Sequence, residues 1–158
     1  DGVINVEKGY LYRKKDFEWI EGAIDAIKYL SDNGYLIFVA TNQSGIARGY
    51  YTEDDVDKLH HYINFELKEN GTKIDEFFYS PYHPDFSTKF VELSHLRKPN
   101  TGMLDIAFEK WKFDRSKSFM IGDQNTDIEC AKRFGIPGFL YKSGNLLEFT
   151  KKLVKKFN

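Results

Sequence analysis

Residues 35–45 read YLIFVATNQSG, and the way this stretch is read decides the fold. Its first seven residues, Tyr35 to Thr41, form a short aromatic and β-branched run with no polar side chain on alternate positions, the pattern of a parallel strand buried on both faces. Upstream, Ile20, Ala23, Ile24, Ile27 and Leu30 recur at three- and four-residue spacing and stop at Asn33-Gly34, which predicts a helix with a glycine end signal. Downstream, Thr52 caps a second helix, with Asp55 near its start and Val56, Leu59, Ile63 and Leu67 on one face, ending before Gly71. The alternation continues. EFFYS (76–80), SFMIG (118–122) and GFLY (138–141) read as strands, and MLDIAFEKW (103–111), IECAKRF (128–134) and the stretch around TKKLVKKF (150–157) as helices. Strand and helix in strict turn imply an α/β fold, a parallel sheet with helices on both faces, in which ligands bind at the carboxyl ends of the strands. No internal repeat interrupts it, and residues 1–158 are expected to form a single domain. The one long irregular segment, Pro81 to Asn100, is of a length that marks function.

Composition narrows the partners. Lys plus Arg number 23 against 24 Asp plus Glu, so no overall field draws nucleic acid or an anionic membrane, and any anion site must be a local cluster. The single cysteine, Cys130, allows no internal disulfide, and no apolar run approaches the roughly 18 residues of a membrane span. A cytoplasmic monomer is the expectation. TKKLVKKF is basic and amphipathic; a solvated lysine face is favoured over a membrane-lying helix.

The strand ends carry the chemistry. Thr41-Asn42-Gln43-Ser44-Gly45 follows the first strand, Arg97-Lys98-Pro99 precedes the third helix, and Gly122-Asp123 follows SFMI. Asp1-Gly2, ahead of Val3-Ile4-Asn5, reads as the loop leaving a further strand. Taken singly, Thr41-Asn42 is a turn, Lys98 a loop cation and Asp123 a helix-start acid. Together, two carboxylates, a hydroxyl and a lysine are what phosphoryl transfer to an aspartate needs: a metal between carboxylates, an acid/base, and donors on the equatorial phosphoryl oxygens.

DGVIN, TNQSG, RKPNTGM and GDQNTD resemble, in order and spacing, the four motifs of the haloacid dehalogenase-like phosphatases, and DGVINVEKGY with TNQSGIARGYYTE is similar to the heptose bisphosphate phosphatase branch, close kin of the histidinol phosphatases. The resemblance implies a Rossmann-like sheet with a minimal cap and Mg²⁺-dependent hydrolysis of a phosphorylated sugar through an aspartyl phosphate. Its first motif is Asp-x-Asp-Gly, in which the first Asp attacks phosphorus and the second is the acid/base. Asp1 matches the second, so the native protein is expected to carry an Asp two positions earlier, on an apolar strand. The resemblance further assigns Asp1 and Asp123 to the metal, Thr41 and Lys98 to the transferring phosphoryl group, and Asn42, Gln43, Ser44 and the Glu7-Lys8-Gly9-Tyr10 loop to the substrate. Arg97 matches the residue that recognises the phosphate left in place. Asp127 orients Lys98 or a metal-bound water, or else is an ordinary first-turn acid.

Two departures stand out against that pattern. Relatives carry a zinc site in the long loop, and its four ligand positions are Ser80, Tyr82, Ser94 and Leu96 here, none offering a thiolate or imidazole, so no zinc is expected. His83 and His95 lie nearby as loop histidines, and Tyr79, Tyr82, Phe86 and Phe90 are available to hold the loop by packing instead. Gln124 stands where heptose-branch relatives usually have a substrate-contacting lysine. The leading expectation is removal of the 7-phosphate of D-glycero-D-manno-heptose 1,7-bisphosphate. The rivals are a histidinol-phosphate phosphatase and, in another class, a phosphosugar-binding pseudoenzyme.

Overall fold

The computed structural model describes residues 1–88 and 90–157, with Phe90 described by its backbone alone, so the packing expected of the Phe90 ring lies outside it. In chain order the elements are α1 (Ala23–Asp32), β1 (Phe38–Asn42), α2 (Ser44–Ala47), α3 (Glu53–Glu69), β2 (Glu76–Ser80), α4 (Phe90–Leu93), α5 (Gly102–Trp111), β3 (Met120–Gly122), α6 (Asn125–Phe134), β4 (Gly138–Leu140) and α7 (Leu146–Val154). Every strand and long helix expected from the periodicity is present. The chain forms two compact units, Asp1–Phe38 with Asp54–Phe77 and Tyr141–Asn158, and Val39–Glu53 with Phe78–Leu140.

In the first unit α1 packs on α7. The apolar face of α7 buries Leu146, Leu153 and Val154 while Lys152 and Lys155 stay exposed, so its lysines form a solvated face. Among the described residues no helix is long and apolar enough to cross a membrane. All four residues expected on the inner face of α3, Val56, Leu59, Ile63 and Leu67, are buried. At the start of the chain Asn5 pairs antiparallel with Trp19.

Among the boundaries that shift, three have a visible physical reason. The first helix begins at Ala23 rather than Ile20 because Ile20 N donates to Ile4 O (3.0 Å) in extended pairing. Gly22 then turns the chain at φ +76°. The strand expected from Tyr35 begins at Phe38 because Asp75 brackets Ile37, its backbone N donating to Ile37 O (2.8 Å) and its carboxylate accepting from Ile37 N (2.7 Å). The last helix starts four residues earlier than TKKLVKKF, where the Asn145 side chain accepts from Glu148 N.

β1 pairs with β2. Asp75 N meets Ile37 O at one end and Gln43 N meets Ser80 O (2.8 Å) at the other, so the two strands run parallel. In the second unit β3 and β4 are also parallel, Met120 opposite Gly138 and Gly122 opposite Leu140, with α6 packed on both. Ala131, Phe134 and Ile136 form a buried cluster there, walled by Leu104, Phe108, Phe113 and Met120. Pro81 to Asn100 holds α4 and one tight helical turn, Ser94–Leu96.

Candidate active site

In the second unit, the carboxyl end of β1 meets the loop before α5. Asn42 Nδ2 donates to Lys98 O (3.1 Å) and Asn42 Oδ1 accepts from Lys98 N (3.0 Å), so one side-chain amide pairs with the Lys98 backbone as a neighbouring strand would. The lysine side chain is thereby delivered to the strand end. Its Nζ lies 2.6 Å from Asp127 Oδ1 and donates to Ala40 O (2.7 Å), and the two side chains are only 11% and 5% exposed.

Asp127 serves two purposes. It is the acid in the first turn of α6, where its Oδ2 accepts from Gln124 N (3.0 Å) and completes a capping box, and its other oxygen holds Lys98. The sequence left those two readings as alternatives; the geometry combines them. Gly122 makes this possible, because a Cβ there would lie 2.2 Å from Asp127 Cβ and 2.5 Å from Oδ2. A carboxylate that is both capped and ion-paired is fixed in position, and so is the ammonium it holds.

Thr41 is also held. Its Oγ1 accepts from Gln43 Nε2 (3.0 Å), and Gln43 Oε1 accepts from the Tyr51 hydroxyl (2.5 Å). Thr41, Gln43 and Tyr51 are all buried. The amides of Asn42 and Gln43, expected to line the substrate, thus have protein partners, while Ser44 opens α2.

Asp123 follows β3, and one of its oxygens accepts from Gln124 Nε2 (3.1 Å). Among the described residues no three His, Cys, Asp or Glu side chains gather as a metal cage. A hard divalent cation of the Mg²⁺ type needs only one or two carboxylates beside water and phosphate oxygens, and Asp123 is a donor of that kind. Cys130 is a poor ligand or nucleophile: burial pushes its thiol up to about 11, and its Sγ points at Asn100 O (3.2 Å).

Two guanidinium groups from outside the 81–88 loop meet successive residues of it. Arg97 Nη1 donates to Tyr82 O (3.1 Å), and Arg48 Nη2 lies 3.3 Å from His83 Nε2 with its guanidinium 4.4 Å above the Phe86 ring. Burial, then the neighbouring charge of Arg48, lowers the pKa of Arg97 from its usual value. Of Ser80, Tyr82, Ser94 and Leu96, Ser80 is fully buried and Ser94 donates to Val91 O (3.3 Å). His95 Nδ1 lies 3.2 Å from Glu92 O. Tyr79, in β2, donates to Glu53 Oε1 (3.3 Å).

The remaining expected site residues belong to the first unit. Asp1 is half-buried, its Oδ1 accepting from Asn5 Nδ2 (2.8 Å). Glu7 accepts from Gly9 N (2.6 Å), Lys8 pairs with Glu18 (2.9 Å), and Tyr10 is exposed. Arg48 and Tyr51 lie in the TNQSGIARGYYTE stretch that carries the resemblance, but sequence reasoning gives neither a site role. Neither lies on a periodic face, and their partners Gln43, His83 and Phe86 are seen only in the fold.

Comparison with known proteins agrees with this geometry. Residues 95–155 match the family model Hydrolase_like, described as HAD-hydrolase-like. The chain is 40% identical over 157 residues to D-glycero-beta-D-manno-heptose-1,7-bisphosphate 7-phosphatase of Rhodopseudomonas palustris, spanning 98% of this chain and 86% of that protein. It is 42% identical over 147 residues to D-glycero-alpha-D-manno-heptose-1,7-bisphosphate 7-phosphatase of Photorhabdus laumondii, spanning 92% and 80%. In fold it matches the solved D,D-heptose 1.7-bisphosphate phosphatase of B. bronchiseptica complexed with magnesium and phosphate, with a TM-score of 0.85 at 23% identity over 99% of this chain and 95% of that one. The parallel strands, the lysine and hydroxyl at their carboxyl ends and these relatives lead to one conclusion: the chain belongs to the haloacid dehalogenase-like phosphatases, in the family of the D-glycero-D-manno-heptose-1,7-bisphosphate 7-phosphatases.

Proposed function

We propose that the protein removes the 7-phosphate of D-glycero-D-manno-heptose 1,7-bisphosphate in a Mg²⁺-dependent reaction that passes through an aspartyl phosphate. The observation that carries this reading is the buried Lys98 ammonium, fixed by Asp127 and Ala40 O beside a held Thr41 hydroxyl, in a chain whose relatives are named for that substrate. An aspartate carboxylate attacks phosphorus, and Asp1 gives its proton to the leaving sugar oxygen and then takes one from the water that hydrolyses the aspartyl phosphate. Thr41 and Lys98 hold the equatorial oxygens, whose charge grows toward the transition state. Asp1 and Asp123 would hold Mg²⁺, which when bound neutralises phosphoryl charge. Arg97 takes the phosphate that stays on the sugar, a task suited to a guanidinium fork. Glu7, Lys8, Gly9, Tyr10, Asn42, Gln43, Ser44 and Gln124 surround the sugar or order its contacts.

The experiment is a comparison of phosphate release from both anomers of the heptose bisphosphate and from histidinol phosphate. The bisphosphate should be turned over with the higher kcat/KM, activity should vanish in EDTA and return with Mg²⁺, and Arg97→Ala should hurt the bisphosphate more than a monophosphate. Preference for histidinol phosphate would overturn the substrate; activity indifferent to EDTA would overturn the metal.

A further inference from the structure

The 41–51 segment contains a polar chain that the proposed reaction leaves unexplained. The Tyr51 hydroxyl lies 2.5 Å from Gln43 Oε1, and Gln43 Nε2 lies 3.0 Å from Thr41 Oγ1. The three residues are 6%, 7% and 8% exposed, so the chain is closed to water along most of its length. Its direction follows from what each atom can do. An amide oxygen only accepts, so Tyr51 donates; an amide nitrogen only donates, so Thr41 Oγ1 accepts. A hydroxyl whose oxygen already accepts within the protein keeps its own hydrogen for a ligand oxygen. The opposite sense, with Thr41 donating into the amide, would remove that hydrogen from use.

The phenol is seated for this. Gly45, buried at the start of α2, lies directly under the Tyr51 ring, and a Cβ there would fall 2.2 Å from Cε1 and 2.7 Å from the hydroxyl oxygen. The strand end, the glycine and the tyrosine therefore form one packed unit, in which a hydroxyl group lies against a buried amide. Burying a phenol hydroxyl and a glutamine in an apolar setting is unfavourable unless their bonds are completed, and here they complete each other and terminate at Thr41.

We propose that Tyr51 is a positioning residue of the phosphatase reaction, acting through Gln43 to hold the Thr41 hydroxyl as a hydrogen-bond donor to the transferring phosphoryl group. It touches no substrate itself. The proposal rests on the role given above to Thr41, though not on which sugar phosphate is the substrate.

The test is a double-mutant cycle of Tyr51→Phe and Thr41→Val, read on the heptose bisphosphate and also on p-nitrophenyl phosphate, with melting curves for each variant. Tyr51→Phe removes one oxygen and keeps the ring on Gly45. It should lower kcat about 3- to 10-fold, the equivalent of one neutral hydrogen bond, with a smaller change in KM. In the Thr41→Val background, where no hydroxyl remains to be held, the same change should have less than a twofold further effect. Independent losses that multiply would overturn the proposal, since a merely structural tyrosine weakens the enzyme whatever stands at 41; so would a Tyr51→Phe protein with the parent kcat. Inorganic phosphate as a competitive inhibitor gives a second readout, and its inhibition constant should follow the same non-additive pattern. Should the heptose bisphosphate prove not to be the substrate, the aryl phosphate arm still decides the role of Tyr51.

Discussion

Lys98 is the side chain on which the strand-end chemistry converges, because the long-range bonds of Asn42, Ala40 and Asp127 all fix it. Its replacement by alanine is expected to lower turnover about 10²–10³-fold with a much smaller effect on KM, since the role proposed for the ammonium is to act on charge that develops in the transition state. Steady-state kinetics checks this; near-normal turnover would remove Lys98 from its assigned place. Asp127→Asn tests the holding group. It leaves a buried ammonium without its counter-charge, which costs on the order of 3 kcal/mol in stability and should lower the denaturation midpoint as well as the rate. Gly122→Ala should behave similarly, because the added methyl displaces Asp127. A Gly122→Ala protein as stable and active as the parent would show that Asp127 has room to move. These dependencies were partly legible beforehand: Thr41, Lys98 and Asp123 stand out by their place at strand ends, whereas the service of Asn42 to the Lys98 backbone spans 56 residues and has no local signature.

At the scale of elements, the starts of α1 and α7 interlock. Leu146 N donates to Glu21 O (2.8 Å), Asn145 Nδ2 donates to Glu21 Oε1 (3.2 Å), and Gly22 lies so close to Asn145 that a Cβ there would fall 2.3 Å from Oδ1. Gly22→Ala combines a positive φ with this collision and is expected to cost on the order of 2 kcal/mol. Gly34→Ala is the control. Its φ is +81° but a Cβ there meets nothing within 4 Å, so only the backbone strain is incurred and the loss should be visibly smaller. Equal losses in chemical denaturation would mean that the interlock contributes nothing.

For the whole molecule, pH dependence offers a test away from the site. His60 stacks on Phe77 with ring centroids 4.2 Å apart, and burial pushes its imidazole down to about 4. The unfolded chain protonates this residue near its ordinary value of about 6.5, the folded chain later, so the unfolded state binds more protons between the two values. The stabilising contribution is therefore complete above about pH 6.5 and is lost as the pH falls toward 4. Melting temperatures measured from pH 8 to 4 should decline through that window, and less steeply in His60→Gln; parallel curves for the two proteins would show that another group is responsible. Metal analysis belongs at this scale too: protein purified without added metal should hold no stoichiometric zinc, and a zinc-selective chelator should leave its melting temperature unchanged.

By itself the sequence determined the kinds and order of the elements, the parallel pairing of the strands and the polar residues at the strand ends, because hydrophobic period and turn chemistry are local properties that survive without tertiary context. Tertiary structure alone decided where β1 and α1 begin, since Asp75 and Gly22 act there from outside the periodic pattern. It alone decided which buried polar groups satisfy one another. Lys98 could have met any nearby carboxylate, and Tyr51 any acceptor; only the folded chain, in which leaving a buried charge or hydroxyl unpaired is costly, brings Asp127 to the first and Gln43 to the second.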